Sequence, residues 1–148
     1  MQDLPHHYAV TASAGTEGNV ALDSPGLEGI ASAGPAEFGG PGNLWSPETL
    51  LVAAVADCFI LSFRAIARAS RFEWTSLDCD VVGELDRVDK VTRFTDFRVR
   101  AKLAIPAGVS EDKARRLLEK AEHSCLVTNS MSARVHLEAE IEVAGIPA

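Results

Sequence analysis

Cysteine is scarce in this chain: Cys58, Cys79 and Cys125 are the only three among 148 residues. An odd count excludes a closed disulfide scaffold. No CxxC occurs and no pair of Cys or His has zinc-ligand spacing, so neither a metal nor another cofactor is expected. Basic residues are also few. Lys and Arg total 14 against 21 Asp and Glu, a net charge of −7. Such an acidic domain has no general attraction for phosphate backbones or anionic membranes, which argues against nucleic acid and membrane partners. The longest apolar stretch, Leu50 to Phe63, is interrupted by Asp57 and Ser62. It falls short of the roughly 20 residues needed to span a bilayer. The start, Met1-Gln-Asp-Leu-Pro-His-His, lacks a basic n-region and an apolar h-region, so a cytoplasmic protein is expected. Internal repeats and compositional bias are missing as well. A hydrophobic fraction of 47% and a charged fraction of 24% exclude disordered, collagen-like and low-complexity chains. The length suits one domain, 1–148, and hardly two.

What is present reads as strands, helix, strands, helix, strand, an α+β order. Short strands are expected at His7 to Thr11, Asn19 to Leu22 and Leu27 to Ile30, with turns at Gly15–Gly18 and Asp23–Gly26. Residues 31–45, rich in Gly, Ala and Pro, form a loop. Ser46 then suits an N-cap, Pro47 the first helical position and Glu48 the first turn. This helix should run to about Ser70. From Leu50 to Phe63 it is apolar on nearly every face, which implies burial all round. A chain this small has difficulty covering such a helix alone, a hint of a dimer. Alternation at Leu77, Cys79, Val81, Gly83 and Leu85 marks a half-buried strand, and Val91 to Ile105 a second. Ser110 caps a second helix that reaches about His123, and Arg134 to Val143 alternates as the last strand.

The cysteines differ in setting. Cys79 lies on the apolar face of a strand and reads as a small core hydrophobe. Cys58 sits within the apolar helix, where core filler is again the ordinary reading. Cys125 ends the second helix ahead of the polar stretch Thr128-Asn129-Ser130, where partial exposure is expected and local amides favour a thiolate. Spacing alone does not pair Cys58 with Cys125.

Two motifs carry a resemblance. The run from Asn43 through Trp45-Ser46-Pro47-Glu48 to Asp57-Cys58-Phe59 places a Cys-Phe ten residues after a Pro-Glu helix start. Leu117-Leu118-Glu-Lys-Ala121-Glu-His-Ser-Cys125 precedes a polar run and a terminal strand. Both, with the elements between them, resemble the OsmC/Ohr family of osmotically induced and organic hydroperoxide resistance proteins, over roughly residues 7 to 143. The resemblance implies an α+β fold in which antiparallel sheets wrap a long buried central helix, assembled as an intertwined homodimer. It implies a thiol peroxidase reducing organic hydroperoxides in oxidative stress defence. Cys58 would be the peroxidatic thiol, Cys125 the resolving thiol and Glu48 an active-site carboxylate. The reductant would be a dithiol, a small molecule or a lipoylated protein. Leu50, Leu51, Phe59 and Phe63 would wall the pocket for fatty or aryl hydroperoxides. Glu48 has a plainer reading too, as a first-turn acid serving the helix dipole. Ten helical residues rise ~15 Å, so Glu48 would reach only the Cys58 of a partner, in a site shared between chains.

The chain departs from the family at one point. The peroxidases of the family place an arginine beside the thiol, in the first β-turn or in the loop before the long helix. Here those places hold Thr16 and Glu37-Phe38-Gly39-Gly40. A carboxylate without a cation raises a neighbouring thiol's pKa, so Cys58 is expected to be a poor nucleophile. Arg64, Arg68 and His123 read as solvated, Asp57 as a polar contact at a helix crossing, and His6 and His7 as a mobile terminus. Two other functions stay open: an apolar-ligand-binding protein on the same fold, and a thiol redox sensor.

Overall fold

The computed structural model describes residues 1–145. The chain forms two compact units, Met1–Leu51 and Val52–Ala148.

In the first unit, β1 (Thr11–Ser13), β2 (Val20–Asp23) and β3 (Ile30–Ser32) form an antiparallel sheet in that order. The outer strands begin later than the sequence suggests. β1 pairs only from Thr11↔Asp23, so His7 to Val10 find no partner strand. Leu27 is drawn into a turn by its amide, which donates to the Ser24 carbonyl at 3.1 Å, and β3 starts only at Ile30↔Leu22. The loop before the long helix contains a short 3-10 turn at Ala36–Phe38. A Cβ on Gly40 would overlap the Gly34 carbonyl, so this loop closes only around a glycine. Val10, Leu27, Phe38 and Trp45 are all exposed.

α1 (Pro47–Ala69) starts as expected. The Thr49 amide donates to Ser46 Oγ at 3.1 Å and the Ser46 amide to Thr49 Oγ1 at 2.8 Å, a reciprocal cap. It ends without glycine. Arg71 adopts a left-handed φ of 51°, and the amides of Arg71 and Phe72 donate to the Arg68 and Ala67 carbonyls at 3.2 and 2.9 Å. The burial expectation needs correction. Only one stripe, Val55, Phe59, Phe63 and Ala67, is buried, while Leu61, Ala65 and Ala69 are exposed and the other apolar residues from Leu50 to Ile66 are half-covered. The length argument also changes, because the helix has 23 residues and a mean hydropathy of 2.1 over its most apolar window. By length and composition it is long enough to cross a bilayer, a test that the core helix of a globular protein also passes.

In the second unit, β4 (Ser76–Val88) and β5 (Val91–Ile105) pair as an antiparallel hairpin, with a bulge at Glu84/Leu85. α2 (Glu111–Ser124) is capped by Ser110 Oγ, which accepts from the Lys113 amide at 3.1 Å. A single helical turn follows, α3 (Leu126–Asn129), and then β6 (Arg134–Val143). β6 pairs with β5 in parallel, not antiparallel. The cause is the α2 crossover: a helix between two strands returns the chain to the same end, and α2 packs against β6. One sheet face supplies the core, with Phe97, Val99, Ala101, Leu103 and Ile105 of β5 buried beside Ala114, Leu118 and Ala121 of α2. The other face carries rows of opposite charge, Asp80↔Arg100↔Glu138 and Asp78↔Lys102↔Glu140. A slip of one residue would break these rows and turn the core outward.

Gly83 lets α1 approach this sheet. A Cβ there would lie 2.9 Å from the Phe97 ring and 3.0 Å from both Phe94 and Val52. The two rings stack at 5.2 Å, so neither yields freely. Gly83→Ala is therefore expected to cost about 1–3 kcal/mol, read as a lower midpoint in thermal denaturation. An unchanged midpoint would show that the rings give way.

Candidate functional thiol pair

The second unit brings Cys58 and Cys125 together. Cys58 lies on α1, one position before Phe59 of the buried stripe, and is half-buried; Cys125 caps the short α3 and is 1% exposed, so the partial exposure expected at a helix end is corrected to burial. Their side chains are near enough to act on each other's ionisation, both are free thiols, and the Val127 amide acts on both sulfurs. Ser62 Oγ, one helical turn beyond Cys58, lies 3.9 Å from its sulfur. The polar run after Cys125 thus becomes a turn of helix whose amides face the pair. Val55, Phe59, Val99, Glu122, Thr128 and Val135 line the cleft around Cys125, which is too tight to hold a water molecule.

The two thiols titrate together, with the proton favoured on Cys58 and the charge on Cys125. Burial pushes the Cys58 thiol up, and the neighbouring Cys125 adds to this, although the Val127 amide and Ser62 oppose it. Burial also opposes ionisation of Cys125, but hydrogen bonds from Thr128, Cys58 and the Val127 amide outweigh it and bring that thiol down. The Thr128 hydroxyl gives its single proton to the Cys125 carbonyl at 3.1 Å, so the lasting help comes from the backbone amides of Thr128 and Val127. Cys58 therefore has the raised pKa anticipated for it, but burial is the leading cause.

Cys79 stands on β4 opposite Ala101, on the core face of the sheet. Burial, followed by the charges of Asp80 and Cys125, pushes its thiol up to about 11 from an ordinary 9.0. In the native protein Cys79 should resist alkylation at pH 7 and react only as the pH nears 11 or the fold opens. The unfolded chain ionises this thiol first, so its contribution to stability is intact below about pH 9 and is lost as pH rises toward about 11. Peptide mapping after iodoacetamide labelling at graded pH checks both points.

The remaining candidates are dispersed. Phe63 is fully buried and meets Trp74 edge-on at 5.4 Å. Phe59 is 1% exposed and forms part of the cleft beside Cys125. Both are buried in the core, and Phe59 reaches the thiol cleft from there. Leu50 and Leu51 are half-buried. Glu48 Oε2 is shielded from solvent and has no hydrogen-bond partner among the described residues. A buried carboxylate oxygen ordinarily has one. Asp57, Arg64 and Arg68 are exposed, and neither arginine makes an ion pair among the described residues. The His123 ring donates to the Glu119 carbonyl at 2.8 Å, as a helix-end histidine. Among the described residues no group of three or more His, Cys, Asp or Glu is placed to hold a metal. Ser62, Glu122, Val127 and Thr128 were not singled out from the sequence. The i+4 spacing of Cys58 and Ser62 and the Cys-x-x-Thr of Cys125 and Thr128 are the signals that point to two of them.

An α+β chain that holds a helix cysteine against a second cysteine at a helix end defines a narrow class of protein. Residues 40–140 match the family described as OsmC-like protein, and the chain belongs to that family. It is 26% identical over 142 residues to the uncharacterized protein YmaD of Bacillus subtilis (strain 168), a match spanning 93% of this chain and 95% of the relative. It is 27% identical over 97 residues to the peroxiredoxin OsmC of Escherichia coli (strain K12), spanning 66% and 67%. The fold is shared with an OsmC-like protein of unknown function, VCA0330, from Vibrio cholerae, at a TM-score of 0.82 and 19% identity, covering 91% of this chain and 99% of that one.

Proposed function

We propose that this protein is a thiol peroxidase that reduces organic hydroperoxides with Cys58 and Cys125. The observation that carries the reading is that these two cysteines, remote in sequence, become interacting neighbours in one fold. The Cys58 thiolate attacks the peroxide O–O bond, which breaks to release the alcohol and leave a sulfenic acid on Cys58. Cys125 then attacks that sulfur, and water leaves as the disulfide forms. A dithiol, small or carried on a lipoylated protein, restores both thiols by exchange. The relationship to a peroxiredoxin supports this class of chemistry.

The working form is a homodimer. α1 leaves most of its apolar surface half-covered, and the first unit exposes Val10, Leu27, Phe38 and Trp45. Surfaces of this kind mark a contact. The orphaned Glu48 Oε2 fits a site completed by the second copy, with Leu50 and Leu51 on the substrate side. The protein acts in the cytoplasm, in oxidative stress defence, without nucleic acid or membrane.

Intact mass before and after one equivalent of cumene hydroperoxide tests the reading. A loss of two hydrogens within seconds, mapped to Cys58–Cys125, is expected. Free thiols after many minutes would overturn it. The raised Cys58 thiol favours a second reading in that event, an apolar-ligand-binding protein or a slow redox sensor on the same fold. Ligand affinity that survives Cys58→Ser marks the binder. Stoichiometric oxidation with a change of partners marks the sensor.

A further inference from the structure

The two sulfurs of the pair differ in access and surroundings, and this bears on how the oxidised protein is reduced. Thiol–disulfide exchange proceeds by in-line attack: the incoming thiolate approaches one sulfur from the side opposite the bond that breaks. Around Cys125 little approach of any direction is open. The residue is 1% exposed, and Val55, Phe59, Val99, Glu122, Thr128 and Val135 close around it without room for a water molecule. For Cys58 the surroundings are more open, with a half-buried position on α1 and Ser62 Oγ 3.9 Å away.

We propose that the reductant enters at Cys58 and that Cys125 is the leaving sulfur, an inference that rests on the disulfide of the peroxidase reading. The incoming thiolate forms a bond to Cys58 Sγ. The Cys58–Cys125 bond breaks, and its electron pair leaves on Cys125 as a thiolate. A second thiolate, from the same dithiol or another reductant molecule, attacks the reductant sulfur of the mixed disulfide. It releases Cys58 as a thiolate and carries away the oxidised reductant. Protons from solvent complete the two thiols. The hydrogen bonds from the Thr128 and Val127 amides that bring the Cys125 thiol down act in the same sense, because a more acidic thiol leaves faster. The same asymmetry has a second consequence. While the mixed disulfide stands, Cys125 remains charged beside it and can close the original bridge again, so a monothiol adduct is short-lived.

The test uses the wild-type protein and avoids peroxide. Diamide closes the Cys58–Cys125 bridge, a large excess of glutathione is added, and the reaction is quenched with acid after milliseconds to seconds. Free thiols are blocked with N-ethylmaleimide at acid pH and the peptides are mapped. At the earliest times glutathione on Cys58 with maleimide on Cys125 is expected to exceed the reverse pattern at least about tenfold. Equal labelling, or glutathione mainly on Cys125, overturns the proposal, as does failure of diamide to form the bridge. A failure of the peroxidase reading alone would look different: cumene hydroperoxide would leave the thiols free while the diamide bridge and its adduct pattern stayed readable.

Discussion

Cys58→Ser should lower hydroperoxide consumption by more than about a thousandfold, because removing a covalent nucleophile removes the chemical step itself. Cys125→Ser should behave differently. Cys58 can still attack once, so one equivalent of hydroperoxide is consumed, but the sulfenic acid then has no thiol to condense with. It persists, is trapped by dimedone as a mass adduct on Cys58, and passes to sulfinic acid when peroxide is in excess. Turnover with a dithiol falls while the first equivalent does not. The same argument fixes the pH profile. A thiol attacks as its thiolate, and burial holds Cys58 above its ordinary 9.0. The rate of the first step should therefore still climb through pH 9 instead of levelling below it. Stopped-flow consumption of cumene hydroperoxide by wild type and the two variants separates these outcomes. Full activity in Cys58→Ser would remove the protein from thiol peroxidase chemistry. A plateau near neutral pH would mean that a cation reaches Cys58 from a second copy of the chain.

Where each thiol ends up explains how much the sequence could reveal. The cap at Ser46-Pro47-Glu48, the hairpin of β4 and β5 and the inward row of β6 were legible because each is a local signal: a capping side chain or an alternation of period two. The class, α+β, follows from their order. The direction of β6 was not legible, because parallel and antiparallel strands share the same alternation and only the path of α2 decides between them. Burial on α1 is less complete than its composition suggests for a related reason. Apolar composition reports what a helix can bury, whereas the chain itself buries the stripe at Val55, Phe59, Phe63 and Ala67. At the site, Cys58 and Cys125 were found through their motif surroundings, but their meeting is a property of the fold. A phenylalanine in a core and one in a pocket wall look alike in sequence, and Phe59 is both buried and part of the cleft beside Cys125. The contact of Thr128 with Cys125 exists only once α3 has formed, so the spacing alone does not establish it.

Phe63→Ala separates the core from the pocket most sharply. Phe63 is fully buried on α1 and meets the Trp74 ring at 5.4 Å with the planes 80° apart, an edge-to-face contact that adds to its area term. Truncation removes the buried ring and leaves a cavity that the close-packed surroundings fill only in part. The expected cost is about 3–5 kcal/mol, or a fall of about 10 °C in Tm for a chain of this size. Leu51→Ala makes the contrast. Leu51 is half-buried, so its loss should cost less stability, while KM for a bulky hydroperoxide rises if the side chain faces substrate. The pair of variants is measured by thermal melting at one protein concentration, since a dimer's midpoint depends on it, and by steady-state kinetics with cumene hydroperoxide at a temperature where both remain folded. A large drop in Tm with KM little changed places Phe63 in the core. An unchanged Tm with a raised KM would restore it to the substrate wall and would mean that α1 turns a different face inward when the protein binds its substrate.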